Sequence, residues 1–113
     1  MAETRLDLLH ALVKKRPKDS FAQYGLAMEY RRLGSLARAK ETFSGLLEID
    51  PDYTAAYLQF ALTLQDLGEI EAAVGTVEKG ISAAERSGDV RAQGELNGLL
   101  EELRDFDPTE GAT

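Results

Sequence analysis

Side chains that carry catalysis work in sets, and this sequence offers no complete set. His10 is the single histidine and there is no cysteine. Disulfides, thiolate nucleophiles and thiolate metal sites are therefore excluded. Neither a metal set nor a Ser-His triad can be assembled around His10, which reads as an ordinary surface or boundary residue. Glycine is plentiful, yet no glycine cluster ends in Lys-Ser or Lys-Thr, and no dinucleotide fingerprint follows a strand. No catalytic residue, cofactor or metal ligand is expected. The chemistry that remains is recognition. Tyr24 and Leu58 stand 34 residues apart, as do Met28 and Leu62. Within each segment the two apolar residues are four apart, which puts them on one side of a helix. Arg31 and Arg32 follow close by and could hold an acidic group.

That 34-residue interval runs through the middle of the chain. Leu26-Ala27, Tyr30, Leu33-Gly34, Ala39 and Phe43 are followed by Phe60-Ala61, Leu64, Leu67-Gly68, Ala73 and Val77. In each unit, apolar residues recur at three- and four-residue steps, stop at a glycine and resume. Leu26, Tyr30 and Leu33 form one helical stripe. Leu36, Ala39, Phe43 and Leu46-Leu47 form a second. Gly34 suits a left-handed helix end, and Ser35 is placed to cap the next helix. Ala27 and Ala39 are small enough for the two helices to approach closely. Pro51 ends the second helix, whereas Glu85 stands at its counterpart and lets that helix run on to Ser87-Gly88. A lone hairpin of this kind cannot bury its apolar face, so stacked neighbours must form the core.

These spaced residues resemble the tetratricopeptide repeat, a helix-turn-helix unit of 34 residues. The resemblance covers about residues 3–104. It implies an all-α solenoid of antiparallel helix pairs, a right-handed superhelix of about six helices. One domain is expected over residues 1–106. A capping helix at 3–16 would be aligned with a second helix through Pro17. Repeats at 20–53 and 54–88 would follow, then a closing helix at 89–104 capped by Asp89. In that last helix Leu96, Leu100 and Leu103 repeat Phe60, Leu64 and Leu67 at an offset of 36. Residues 107–113 lack periodicity and are expected to be disordered. Gln23 departs from the family pattern, where tryptophan is usual.

In this family the first helices of successive repeats line a concave face that takes extended or helical peptides. Carried onto this chain, that face would hold Phe21, Tyr24, Met28, Arg31 and Arg32. Leu58, Leu62 and Gln65 would continue it, with Gly94 and Gly98 opposite, flanked by Arg91, Glu101 and Glu102. The Lys, Arg and Asn clamp of chaperone-tail binders is replaced by Tyr24, Met28, Leu58 and Leu62. Two arrangements of these four are open: an apolar floor, or packing against one another between helices. The implied function is a protein-interaction module for a protein or peptide partner, with no nucleic acid and no membrane. The alternative is a self-assembling scaffold, at most a weak homodimer, through end-stacking or charge-paired halves. The net charge of −7 supports that alternative. Residues 1–40 carry nine Lys/Arg and four Asp/Glu, a net +5. The remainder carries four Lys/Arg and sixteen Asp/Glu, a net −12. The run Lys14-Lys15-Arg16-Pro17-Lys18 superficially resembles an import signal, but cations also collect at helix carboxyl ends. No segment has the ~18 apolar residues of a spanning helix, and the amino terminus lacks a cleavage site, so a cytoplasmic protein is expected.

Overall fold

A computed structural model describes residues 3–105, so the disorder expected at 107–113 lies outside the described residues. Six helices follow in order: α1 (Arg5–Lys15), α2 (Ser20–Arg32), α3 (Leu36–Ile49), α4 (Thr54–Asp66), α5 (Ile70–Ser87) and α6 (Val90–Asp105). Each packs on its sequence neighbours, and α4 also touches α2 and α6. The molecule measures 55 × 34 × 19 Å, and its thinnest dimension is about two helix diameters. The first helices α2, α4 and α6 form one layer and α1, α3 and α5 the other. Helices of the first layer touch along their row, whereas α1, α3 and α5 do not touch one another. The stack therefore curves toward the α2–α4–α6 side.

The repeat unit follows from its turns and its alanines. Gly34 and Gly68 both adopt φ 80°, and Gly88 adopts φ 69°. After α2, the Ser35 N–H donates to the Tyr30 carbonyl (2.9 Å) and the Gly34 N–H to the Arg31 carbonyl (3.1 Å). This pair of bonds is a Schellman closure, and the same pattern recurs after α4 and α5. Ala27, Ala39, Ala61 and Ala73 are fully buried where paired helices cross. Phe43 of α3 stacks on Phe60 of α4 with centroids 6.1 Å apart, joining the core of one repeat to the next.

Helix starts differ in chemistry. Thr4 caps α1 in a capping box, accepting from the Asp7 N–H (3.0 Å) while Asp7 accepts from the Thr4 N–H (3.2 Å). The helix consequently begins at Arg5, two residues later than the sequence suggests. Asp19 caps α2 by accepting from the Ala22 N–H at 3.2 Å. Ser35 occupies the expected cap position before α3, but its side chain makes no capping bond. Lys14 and Lys15 lie in the last turn of α1, the position that favours cations at the negative end of the helix dipole.

Two stripe assignments need correction. Leu33 and Leu67 close their helices at the C-caps and remain 49% and 36% exposed. Each sits one residue before the reversal, past the end of the neighbouring helix surface. In α6 the fully buried set is Leu96, Leu99 and Leu103, and Leu100 is only half-buried. At the offset of 36, Leu96 and Leu99 match Phe60 and Thr63, which meet Phe43 and Arg31 of the preceding repeat, whereas Leu103 matches the exposed Leu67 and is buried. The side carrying Gln93, Asn97 and Leu100 would meet a following helix, and none follows among the described residues.

Gly25 and Gly80 are the glycines at which an added Cβ would crowd a neighbouring helix. A Cβ built on Gly80 would lie 2.6 Å from Tyr57 Cβ and 3.0 Å from Leu96 Cδ1. Alanine is the better helix former by about 1 kcal/mol. Here the blocking atom is a Cβ fixed to the α4 backbone, so overpacking outweighs propensity. Gly80→Ala should destabilise the fold by about 1–3 kcal/mol, read as a lower midpoint in urea unfolding. An unchanged or raised midpoint would mean that α5 can shift away from α4 at little cost.

The amino-terminal helix packs Leu6, Leu9 and Val13 on the core of the first repeat and adds polar ties to it. Glu29 of α2 is 4% exposed, and the Arg32 guanidinium donates to it twice (2.7 and 2.6 Å). Arg5 of α1 approaches the same carboxylate at 3.6 Å. The Arg32 hydrogen bond, aided by the charges of Arg32 and Arg5, holds the Glu29 carboxyl below the ordinary glutamate range despite its burial. A lowered folded-state value means that the unfolded chain takes up the proton first as acid is added. The stabilisation is complete above the ordinary glutamate range and is lost as pH falls through the lowered value. Melting temperature should therefore fall on acidification through that range, and more steeply for the native chain than for Glu29→Gln. Parallel pH profiles for the two proteins would show that Glu29 has no such role.

Candidate functional site

The curvature opens a cavity of about 320 Å³ on the α2–α4–α6 side. From α2 it receives Tyr24, and from α4 Thr54, Ala55, Leu58 and Gln59. Asp89 and the first half of α6, through Arg91, Ala92, Glu95 and Leu96, form the opposite wall. Helical periodicity explains the set: Ala55, Leu58 and Gln59 face one way from α4, and Arg91, Ala92, Glu95 and Leu96 face back from α6. Ala55, Leu58, Ala92 and Leu96 give it an apolar floor.

Its walls are fixed by contacts made elsewhere. The Tyr24 ring lies 5.2 Å from that of Tyr53 and 6.2 Å, edge-on, from that of Phe43. Burial pushes the Tyr24 phenol above its ordinary value, so the group stays neutral and can still donate a hydrogen bond. Asp89 ties α6 to α4, accepting from the Thr54 hydroxyl at 2.7 Å and from the Ala92 N–H at 3.0 Å. These bonds, the Thr54 one foremost, hold its carboxyl below the usual aspartate range. Asp89 is thus an anion committed to the helix cap. At the rim, Arg91 pairs with Glu95 at 3.1 Å.

The residues expected at the concave face divide into five groups. Tyr24 and Leu58 line the cavity. Met28 and Leu62 are half-buried against the core clusters of their own repeats, and Gln65 is half-buried beyond the cavity's lining. Phe21 is 74% exposed at the start of α2. Arg31 and Arg32 are not available in the way the sequence suggests. Arg31 is bonded to Asp66 (2.9 Å) and to the Thr63 hydroxyl (3.2 Å), and Arg32 to Glu29. Gly94 and Gly98 need the clearest correction: both are exposed, and nothing lies within 4 Å of a Cβ placed on either. They lie on α6 away from its buried leucines, and Arg91 and Glu95 form the wall that faces α4.

Thr54, Gln59, Asp89, Ala92, Glu95 and Leu96 join the cavity without having been expected there. The offset of 36 carried their signal, because it maps Ala55 and Gln59 onto Arg91 and Glu95. Gln23, which replaces the family's usual tryptophan, donates through its side-chain amide to the Pro17 carbonyl at 2.6 Å and pins the α1–α2 turn. His10 lies 2.6 Å from the Tyr30 hydroxyl and so joins α1 to α2. Among the described residues no group of three or more His, Cys, Asp or Glu could hold a metal ion, and no helix is long and apolar enough to cross a membrane.

Comparison with known proteins meets the same architecture. A family model described as tetratricopeptide repeat matches residues 22–53, the span of α2, α3 and their turn. A TPR repeat-containing protein from Pseudomonas aeruginosa is 27% identical over 95 residues, covering 84% of this chain and 90% of that protein. The solution structure of a tetratricopeptide repeat domain protein from Salinibacter ruber superposes with a TM-score of 0.77 at 28% identity, covering 81% of this chain and 93% of its own. The TPR2B domain of yeast Sti1, in its pHsp70 complex, reaches a TM-score of 0.83 over 88% of this chain and 80% of its own. At 18% identity that last likeness concerns the fold alone. With the repeated helix pairs, their glycine turns and their alanine crossings, these matches identify residues 22–53 as a tetratricopeptide repeat and give the described chain the fold of tetratricopeptide-repeat domains.

Proposed function

We propose that this chain is a protein-interaction module, not an enzyme, and that it takes an apolar peptide segment or helix in the cavity between α2, α4 and α6. One observation carries the reading: an apolar floor stands open between helices whose own cores are already closed. A side chain from a partner can enter there without displacing a core residue. The Tyr24 ring and the Asp89–Thr54 bond hold the walls in place before the guest arrives, which lowers the ordering cost of binding. The TPR2B domain of yeast Sti1, similar in fold, is seen in a complex with pHsp70.

Leu58 and Ala55 are the cleanest probes, since Tyr24 also packs on Phe43 and Tyr53 and its loss would weaken the core. Peptides selected on the intact chain from a randomised twelve-residue library should bind Leu58→Ala at least about fivefold more weakly, roughly the 1 kcal/mol of an anchoring contact. Ala55→Trp should fill the cavity and abolish binding with the melting temperature nearly unchanged. Phe60→Ala, by contrast, should cost stability first. Binding indifferent to both Leu58→Ala and Ala55→Trp would remove the cavity from the function.

A second reading, self-association, is favoured by α1. This helix has no buried residue, and Leu8 and Leu12 remain 54% and 38% exposed. The 34-residue interval pairs Leu12 with Leu46, which is fully buried in α3. A second copy covering this face would appear in sedimentation as a concentration-dependent dimer that Leu12→Lys dissolves. A dimer that instead weakens as salt rises toward ~1 M, where the Debye length is about 3 Å, would assign it to the oppositely charged halves. A monomer at all concentrations would end this reading.

A further inference from the structure

The charges around the cavity identify the chemistry of the guest, an inference that rests on the cavity being the binding site. The three helices of the concave layer carry four cations: Arg31, Arg32, Arg91 and Arg104. Each is already bonded to a carboxylate within the chain: Arg31 to Asp66 at 2.9 Å, Arg32 to Glu29 at 2.6 Å, Arg91 to Glu95 at 3.1 Å and Arg104 to Glu78 at 3.7 Å. A guest carboxylate would have to compete with one of these partners. The Glu29 fork is out of reach for such competition, because breaking it leaves a buried carboxylate unpaired.

The anions are in excess. The same helices carry Glu29, Asp66, Glu95, Glu101, Glu102 and Asp105, and Asp89 caps α6. Glu101, Glu102 and Asp105 are exposed and enter no ion pair among the described residues. Glu95 is held by Arg91 at 3.1 Å, whereas Glu102, seven residues further along the same face of α6 and past Gly98, enters no ion pair among the described residues. No side chain stands over Gly98, so a guest could lie against the backbone there and reach Glu102.

We propose that the guest is a basic amphipathic peptide, with an apolar side chain inserted against Leu58 and Leu96 and Lys or Arg residues directed along α6 to the unpaired carboxylate of Glu102. An acidic tail is disfavoured by the same surface. The cavity supplies the apolar anchorage, and the unspent carboxylates of α6 supply direction and charge selection.

The randomised twelve-residue library, selected on the intact chain and counter-selected on Ala55→Trp, tests this directly. Peptides that need the open cavity should be enriched in Lys and Arg over Asp and Glu by at least about threefold relative to the unselected library. Their affinity should fall at least about tenfold between 0.05 and 0.5 M salt, and the double variant Glu101→Lys/Glu102→Lys should lose a similar factor at low salt. Cavity-dependent peptides with no charge bias, or with an acidic one, would overturn the basic-guest assignment and leave the binding site intact. A selection that returns no cavity-dependent peptide from the folded chain would overturn both. Sedimentation of the chain alone adds a third outcome: a self-associated species released by Ala55→Trp would make a second copy the occupant and overturn the peptide assignment.

Discussion

Close approach of paired helices at small residues is the constraint on which this structure depends. Ala27 and Ala39 in one hairpin, and Ala61 and Ala73 in the next, are fully buried. A larger side chain at any of these positions would hold the helices apart, and the aromatic residues beside them would lose their packing. Because each hairpin closes tightly on itself, its remaining apolar surface must meet the next hairpin. The Phe43–Phe60 stack is that meeting point. The first helices touch along their row and the second helices do not, so the layers differ in spacing and the stack bends. The cavity between α4 and α6 lies on the inner side of that bend. An open apolar cavity thus arises from crossing distances set within the hairpins, without any residue having to be sacrificed from the core.

Most of the fold was legible in the sequence because its signals are local and repeated. The 34-residue interval, the glycines at 34, 68 and 88, and the replacement of Pro51 by Glu85 each act within a few residues, and the helices begin and end where they direct. The site was legible only in part. Tyr24 and Leu58 could be found because the interval carries one onto the other. Arg31 and Arg32 read as free cations, since a sequence gives no sign that Asp66 and Glu29 already hold them. Gly80 gave no warning either. A glycine within a helical run reads as a small local cost, and its meaning appears only with Tyr57 and Leu96 against it. Gly94 and Gly98 invited the opposite error, being two glycines at helical spacing that meet nothing at all.

The departures of α6 from the repeat share one cause. A first helix normally meets the preceding helix on one side and its own second helix on the other. For α6 only the first partner exists among the described residues, so Leu96, Leu99 and Leu103 are buried and Leu100 is not. Its remaining surface carries Gln93, Asn97, Glu101 and Glu102, which suits solvent and closes the stack in the manner of a polar cap. The exposed Glu101 and Glu102 thus serve the solubility of an uncovered end, while the cavity wall on α6 carries the Arg91–Glu95 pair.

The amino-terminal end is closed by different means. Helix α1 has no buried residue, and much of its attachment is polar: Arg5 to Glu29, His10 to Tyr30, and the Gln23 amide to the Pro17 carbonyl. Elements with little buried apolar surface open at lower free energy than the core they rest on. By that measure α1 is the least secure part of the stack, and α4 to α6, closed by Gly80 and the three leucines of α6, the most secure. The cavity is built mainly from α4 and α6, with only Tyr24 contributed by α2. Tyr24 is itself held by Phe43 and Tyr53, which belong to later elements and not to α1. Loosening of α1, or its engagement by another molecule, can therefore proceed without dismantling the cavity. The apolar face at one end and the charged cavity at the other are separable surfaces of one continuous core.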